Sequence, residues 1–109
     1  MKKGILFLAV AGLLSFNASA QEMPSFNIII KDHKFSPEVT EVPAGQKVKL
    51  MVDNQDTTPE EFESSKLRVE KIIKGNSQAT ILVGPLKAGE YEYVGEFHED
   101  IAKGKIIAK

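Results

Sequence analysis

The sequence predicts an all-β sandwich of about seven or eight strands, and two features of the chain carry this prediction. Short runs rich in β-branched and aromatic residues recur along the chain, and turn residues separate them at intervals of about ten residues. After residue 20, no helical periodicity persists beyond about two turns. The chain also lacks internal repeats and low-complexity linkers, so we expect one small β domain.

The first twenty residues predict a secretory signal peptide. Two lysines near the start precede an apolar run at 5–14, and the segment ends in the small residues Ala18-Ser19-Ala20. The apolar run is ten residues long, whereas a membrane-spanning helix needs about 20. We therefore expect cleavage after Ala20, which divides the chain into a signal peptide at 1–20 and an exported, soluble domain at 21–109.

Composition excludes several classes of function. The chain has no cysteine, which rules out disulfides, thiolate metal ligands and a lipid anchor at the cleavage site. Its formal net charge is −1, and loss of the signal peptide with its two lysines and no acid lowers this charge to −3. Acidic and basic residues alternate without a basic stripe, so we expect no nucleic-acid partner. No nucleophile lies in a recognisable motif with a base, so we expect no enzyme.

The first half of the domain predicts three strands joined by short connections. These strands are expected at 26–30, 38–42 and 47–52. The segment at 32–37 between the first two is predicted to be a turn or crossover. Pro43-Ala44-Gly45 predicts a tight turn, because proline presets φ and glycine accepts a positive φ.

The second half of the domain predicts a loop and then the remaining strands. The loop is expected at 54–59, and strands are expected at 61–64, 67–73, 78–83, 90–97 and 104–108. Gly75-Asn76 and the glycine- and proline-containing connection at 84–89 predict turns on either side of one of these strands. A loop at 98–103 is expected before the last strand.

Five motifs span the domain in a characteristic order. They are Phe35-Ser36-Pro37, Val42-Pro43-Ala44-Gly45, Val52-Asp53-Asn54-Gln55-Asp56, the segment at 86–93 and the segment at 103–107. Each motif is weak alone, but their order and spacing resemble those of the cupredoxin family. The resemblance covers essentially the whole domain at 21–109 and implies a Greek-key β-sandwich.

The blue-copper members of that family bind copper through two His residues, a Cys and a Met, and this sequence replaces most of them. By the resemblance, Gly95 stands at the Cys position, Ala102 at the Met position and an acidic run at 60–63 at the first His position. Only His98 matches. Because a blue-copper site needs the thiolate ligand, we expect no blue-copper centre.

An acidic motif and the final loop carry a narrower resemblance. Glu61-Phe62-Glu63 and the loop at 95–100 are similar to those of EfeO-type cupredoxin-like domains and their stand-alone periplasmic relatives, which accompany high-affinity iron permeases. The resemblance implies a periplasmic accessory protein that handles iron or copper ions for an inner-membrane iron permease complex. It does not choose between the two metals.

The candidate metal ligands are an imidazole and several carboxylates: Glu61, Glu63, Glu96, His98 and Asp100. The resemblance implies that the loop around Glu61 lies beside the loop around His98. Nitrogen and oxygen ligands of this kind suit Fe(II), Fe(III), Cu(II), Zn(II) or Mn(II), and do not suit Cu(I). Glu61 and Glu63 share one face of an extended strand, so they bind a cation together or, facing outward, act as solubilising charge.

Alternatives to this function stay open at the level of sequence. His33 lies in a charged turn far from the final loop along the chain, and we expect it at the surface. One alternative is that the domain is a metal-free interaction module that kept the fold. Another is that it is a copper protein with nitrogen and oxygen ligands that assists Fe(II) oxidation. The identity of the metal and the formation of a homodimer that shares a site also stay open.

Overall fold

The computed structural model describes residues 23–109, so the predicted signal peptide at 1–20 lies outside the described residues and stays a prediction. Residues 23–109 form nine β-strands and one short 3-10 helix, η1. These elements are β1 (Ser25–Lys31), β2 (Lys34–Ser36), β3 (Val39–Val42), β4 (Val48–Asn54), β5 (Glu60–Ser64), β6 (Val69–Ile73), β7 (Ser77–Val83), β8 (Gly89–Gly95), η1 (Glu96–His98) and β9 (Lys103–Ala108). Within this part of the chain, no helix is long and apolar enough to cross a membrane.

The strands form two sheets. The order is β3-β9-β8-β5-β6 in the five-stranded sheet and β2-β1-β4-β7 in the four-stranded sheet. The pairs β1–β4 and β3–β9 are parallel, and the other pairs are antiparallel. Four of the seven neighbouring pairs in the two sheets join strands that are not consecutive in sequence, which is typical of Greek-key connections. The predicted all-β Greek-key sandwich is therefore confirmed.

Strand β2 lies where the sequence predicted only a turn or crossover, and that detail was wrong. Phe35 lies opposite Ile30 in the β1–β2 hairpin, and only 3% of it is exposed. Burial of such a side chain contributes about 2 kcal/mol, which favours extending the chain back along β1. The two residues between the strands, Asp32 and His33, take positive φ angles of 53° and 61°. Two-residue hairpins of type I′ require this conformation at both positions.

Three aromatic side chains fill the core at one end of the sandwich. The Phe62 and Tyr93 rings stack with centroids 4.4 Å apart, and Phe35 meets them edge-on at 5.8 Å and 4.8 Å. Such pairs contribute about 1 kcal/mol each beyond the apolar area that they bury. In β5 and β8, residues two positions from these aromatic residues share their inward face. Glu60 and Gly95 therefore point inward, and both are buried.

Candidate metal centre

Glu60 is a buried carboxylate at the start of β5. Only 1% of it is exposed, although a buried charge is costly unless it is paired and hydrogen-bonded. Its Oε1 accepts hydrogen bonds from the backbone N–H of Glu61 at 3.0 Å and of Phe97 at 2.9 Å. Its Oε2 lies 2.7 Å from Nδ1 of His98. Strand β5 and helix η1 thus fix the carboxylate at one end of the core.

His98 is held in place by the turn that follows η1. Its carbonyl accepts hydrogen bonds from the N–H groups of Ile101 at 3.1 Å and Ala102 at 2.8 Å. The side chain is 30% exposed, and that of Glu60 is 2% exposed. The imidazole therefore lies between the buried carboxylate and solvent, where an ion from solution has access to it.

His33 reaches the same place from the β1–β2 turn. Its ring stacks on the His98 ring with centroids 3.6 Å apart and an interplanar angle of 14°. Its Nδ1 lies 3.5 Å from Oδ2 of Asp56. His33 was predicted to lie at the surface, whereas in the structure it is half-buried against His98. The contact joins two loops that are distant along the chain.

Asp56 organises the turn that carries His33. Its two carboxylate oxygens accept hydrogen bonds from the backbone N–H of Asp32 at 2.8 Å and of His33 at 2.9 Å. Burial alone would raise the pKa of Asp56, but these two N–H donors and the positive charge of a protonated His33 hold that pKa below its ordinary value. Asp56 is therefore a stable anion that fixes the left-handed turn.

Asn54 anchors the loop that presents Asp56. Its side chain is fully buried and its Nδ2 donates to the carbonyls of Thr58 at 2.9 Å, Ile73 at 3.1 Å and Lys74 at 3.2 Å. Its Oδ1 accepts a hydrogen bond from the N–H of Asp56 at 3.1 Å. A buried amide with all of these partners stabilises one loop conformation.

His33, Glu60 and His98 form one cluster that suits a metal ion. One ligand atom from each residue lies within 4.8 Å of the others. Two imidazoles and one carboxylate with an open side are a known ligand set for Fe(II), and imidazole also suits Cu(II) and Zn(II). The donor set fits a divalent cation, which would replace the hydrogen bond between Glu60 and His98. Oδ2 of Asp56 lies 3.5 Å from Nδ1 of His33, so a carboxylate stands beside the outer side of that ring, where metal-ligating imidazoles usually have one.

A second, purely acidic cluster lies on the opposite face of β5. Glu61, Glu70 and Glu96 each place a carboxylate oxygen within 4.8 Å of the others. A hydrogen bond with Glu96, partial burial and the neighbouring negative charges raise the pKa of Glu63 to about 6. Partial burial, a hydrogen bond with Glu96 and the same negative charges also raise the pKa of Glu61. These carboxylates therefore hold protons more readily than isolated glutamates do.

The candidate ligands from sequence divide between these two clusters. His98 lies in the cluster with Glu60 and His33. Two others, Glu61 and Glu96, belong to the acidic cluster, Glu63 lies beside that cluster next to Glu96, and Asp100 is exposed in the turn after η1.

Sequence reasoning missed Glu60 and His33. The alternation of side chains between the two faces of a strand was the available signal for Glu60. Glu60 shares a face with the apolar Phe62, which indicates that Glu60 points inward, whereas Glu61 lies on the other face. No local signal in the sequence pointed to His33, because only the closure of the sandwich brings it to His98.

Comparison with known proteins identifies the family. The family model for the cupredoxin-like domain matches residues 4–108. This chain belongs to the cupredoxin-like domain family. A relative from Rickettsia prowazekii (strain Madrid E), named Uncharacterized protein RP394, is 41% identical over 108 residues, which cover 94% of this chain and 86% of the relative.

Solved structures similar to this cupredoxin-like domain include copper proteins. Auracyanin A, a blue copper protein from Chloroflexus aurantiacus, has a TM-score of 0.68 and 15% identity, over 81% of this chain and 100% of that chain. The metal-binding domain of the Streptococcus pneumoniae D39 Cu(I)-exporting P-type ATPase CopA, with Cu(I), has a TM-score of 0.66 and 13% identity, over 78% of this chain and 84% of that chain. At such identities the likeness shows the fold alone. The absence of cysteine means that this member of the family has no blue-copper site.

Proposed function

We propose that this protein is a periplasmic, non-enzymatic metal-binding protein that holds an iron or copper ion at His33, Glu60 and His98. In this role it serves as an accessory protein of a high-affinity iron uptake system. The observation that carries the proposal is the buried carboxylate of Glu60, which lies 2.7 Å from one of two stacked imidazoles. A divalent cation would neutralise this carboxylate and use both rings.

The arrangement is prepared for an ion before any ion binds. The N–H groups of Glu61 and Phe97 fix Glu60, and Asp56 fixes the turn that carries His33. Ligands that are already ordered lose little conformational entropy on binding, so more of the interaction energy is available as affinity. The same observation disfavours a metal-free interaction module, because burial of a carboxylate beside an imidazole carries a desolvation cost that apolar side chains at these positions would avoid.

Two further observations support metal handling and iron uptake. Auracyanin A and the CopA domain, which share the fold, are a copper protein and a Cu(I)-bound domain by their names. The Glu61-Phe62-Glu63 motif resembles that of EfeO-type domains associated with iron permeases. This resemblance is the basis for the permease partner and for the role in iron uptake, and together with the predicted signal peptide it is the basis for the periplasmic location. The nitrogen and oxygen donors are compatible with both Fe(II) and Cu(II).

Isothermal titration of the chelator-stripped protein with anaerobic Fe(II), Cu(II) and Zn(II) tests this function. We expect binding of one ion with micromolar or tighter affinity that is lost in Glu60→Gln and His98→Ala. Glu61→Gln is the matched control, because it removes the neighbouring carboxylate on the opposite face of β5 and should keep the affinity. The absence of binding to all three ions would contradict the proposal. Loss of binding only in Glu61→Gln would move the site to the acidic cluster.

The iron-uptake role has a separate test in cells. Cells that lack this protein should take up radioactive iron more slowly under iron limitation, and the wild-type chain should restore the rate. The Glu60→Gln variant should not restore it, whereas the Glu61→Gln variant should. Full restoration by Glu60→Gln would show that the metal centre is not needed for uptake.

A further inference from the structure

Gly95 stands against the carboxylate of Glu60. It is the last residue of β8, it is buried, and its N–H donates to the carbonyl of Ala102 at 2.8 Å. A Cβ atom added to Gly95 would lie 2.7 Å from Cδ and 2.9 Å from Oε2 of Glu60, and 2.7 Å from Cβ of Ala102. These distances are too short for non-bonded atoms, so any side chain at this position forces a neighbour to move.

The carboxylate of Glu60 is not free to move away at low cost. Its two oxygens make hydrogen bonds to two backbone N–H groups and to His98. A buried charged group that loses such bonds leaves donors and acceptors unpaired, and each unpaired buried group destabilises the protein. The carboxylate in its present place and a side chain at position 95 therefore exclude each other.

We propose that Gly95 determines the metal selectivity of the centre. Because Gly95 has no side chain, the Glu60 carboxylate can occupy the ligand position beside His98. This inference rests on the proposed function. Oxygen and imidazole donors favour divalent cations such as Fe(II), whereas a sulfur donor in the same volume favours Cu(I). The residue at position 95 thus selects between two classes of metal without contacting the ion itself.

A reciprocal exchange of ligands tests the inference. In the double variant Glu60→Ala/Gly95→Cys, removal of the carboxylate leaves a space, and the thiol introduced at position 95 fills this space. Glu60→Ala/Gly95→Ala is the matched control, with the same space and no sulfur. We expect Cu(I) affinity, measured by competition with a chromogenic Cu(I) chelator, to rise at least about 100-fold over the control, and Cu(II) to give a thiolate charge-transfer band. Equal Cu(I) affinity in the two variants would overturn the inference.

A single substitution gives an independent test. Gly95→Ala should displace the Glu60 carboxylate and lower Fe(II) affinity at least about tenfold, in the range that misplaced metal ligands lose. Val94→Ala shortens the neighbouring residue of β8, whose side chain points to the opposite face of the strand and away from Glu60, and this variant should bind Fe(II) as the wild type does. Thermal denaturation without metal verifies that each variant is folded. Wild-type Fe(II) affinity in Gly95→Ala would refute the selectivity role.

The outcomes for this inference and for the proposed function are distinguishable. If the wild-type protein binds none of the ions, the proposed function fails. If the wild type binds Fe(II) or Cu(II) and the exchange of carboxylate for thiol leaves the Cu(I) affinity at the control value, only the role of Gly95 fails.

Discussion

Replacement of Glu60 by Gln should remove metal-dependent stability and leave the metal-free fold nearly unchanged. The amide oxygen of Gln can accept the same two N–H bonds from Glu61 and Phe97 that Oε1 of Glu60 accepts. The amide NH₂ can donate to Nδ1 of His98 in the tautomer that leaves this nitrogen unprotonated. Because the shape and the hydrogen bonds are kept and a buried charge is removed, the free energy of unfolding without metal should change by about 1 kcal/mol or less.

The size of the metal effect follows from linkage. An ion that binds only the folded state stabilises it by about 2.7 kcal/mol at one hundred times its Kd. For the 87 residues at 23–109, an unfolding entropy of about 2.1 cal/mol/K per residue converts this into a rise in Tm of about 15 °C. If the lost ligand weakens binding about 100-fold, the same ion concentration stabilises Glu60→Gln by about 0.4 kcal/mol, or about 2 °C.

The assay is a thermal melt followed by circular dichroism, with and without Fe(II) under anaerobic conditions and with Cu(II) in parallel. Glu61→Gln is the control and should show the full wild-type shift, because its carboxylate lies in the acidic cluster. An equal metal-dependent shift in wild type and Glu60→Gln would refute the assignment of Glu60 as a ligand. A fall in the metal-free Tm of Glu60→Gln by more than about 5 °C would refute the argument from conserved hydrogen bonds.

Three further predictions concern the surroundings of the centre. Asp56→Ala removes two charge-assisted hydrogen bonds from the His33 turn, so Tm should fall by about 10 °C and metal affinity by about tenfold. An unchanged metal affinity, measured by titration, would contradict this positioning role of Asp56. Because the pKa of Glu63 is raised to about 6, its charge destabilises the fold increasingly as pH rises through that value. The Tm of Glu63→Gln should therefore be higher than that of the wild type at pH 8 and equal to it below pH 4.5. Equal Tm values at both pH values would contradict this prediction. Tyr93 is buried and its hydroxyl finds no hydrogen-bond partner among residues 23–109, so Tyr93→Phe should raise Tm by about 5 °C, and a lower Tm would contradict the prediction.

The fold was predictable because the signals for it are local. Strand β4, expected at 47–52 and found at Val48–Asn54, alternates residues that pack inward with residues that face outward. The strand expected at 90–97 ends earlier, at Gly95, because the N–H of Phe97 binds the side chain of Glu60 and not a neighbouring strand. Strand ends depend on such tertiary bonds, which a periodic pattern does not contain.

The site was only partly predictable, because its members meet through non-local contacts. His98 was predicted through resemblance, and it lies in the candidate cluster with His33 and Glu60. His33 joins it only when the β1–β2 turn takes two positive φ angles and binds Asp56, and neither event has a pattern in the sequence. The acidic run at 60–63 drew attention to the strand that carries Glu60, but the motif Glu61-Phe62-Glu63 emphasised the two carboxylates that face away from the core.

The two faces of β5 show why the density of acidic residues alone does not locate a metal centre in this fold. Glu60 has two N–H donors and an imidazole around its carboxylate, so its charge is compensated in place. The carboxylates of Glu61 and Glu63 have mainly other carboxylates beside them, so their pKa values rise and protons compete with cations for their oxygens. A single buried acid with donors around it is therefore better prepared for an ion than several partly buried acids without them. A search of related sequences should weigh the inward position of β5 above the acidic motif that flanks it.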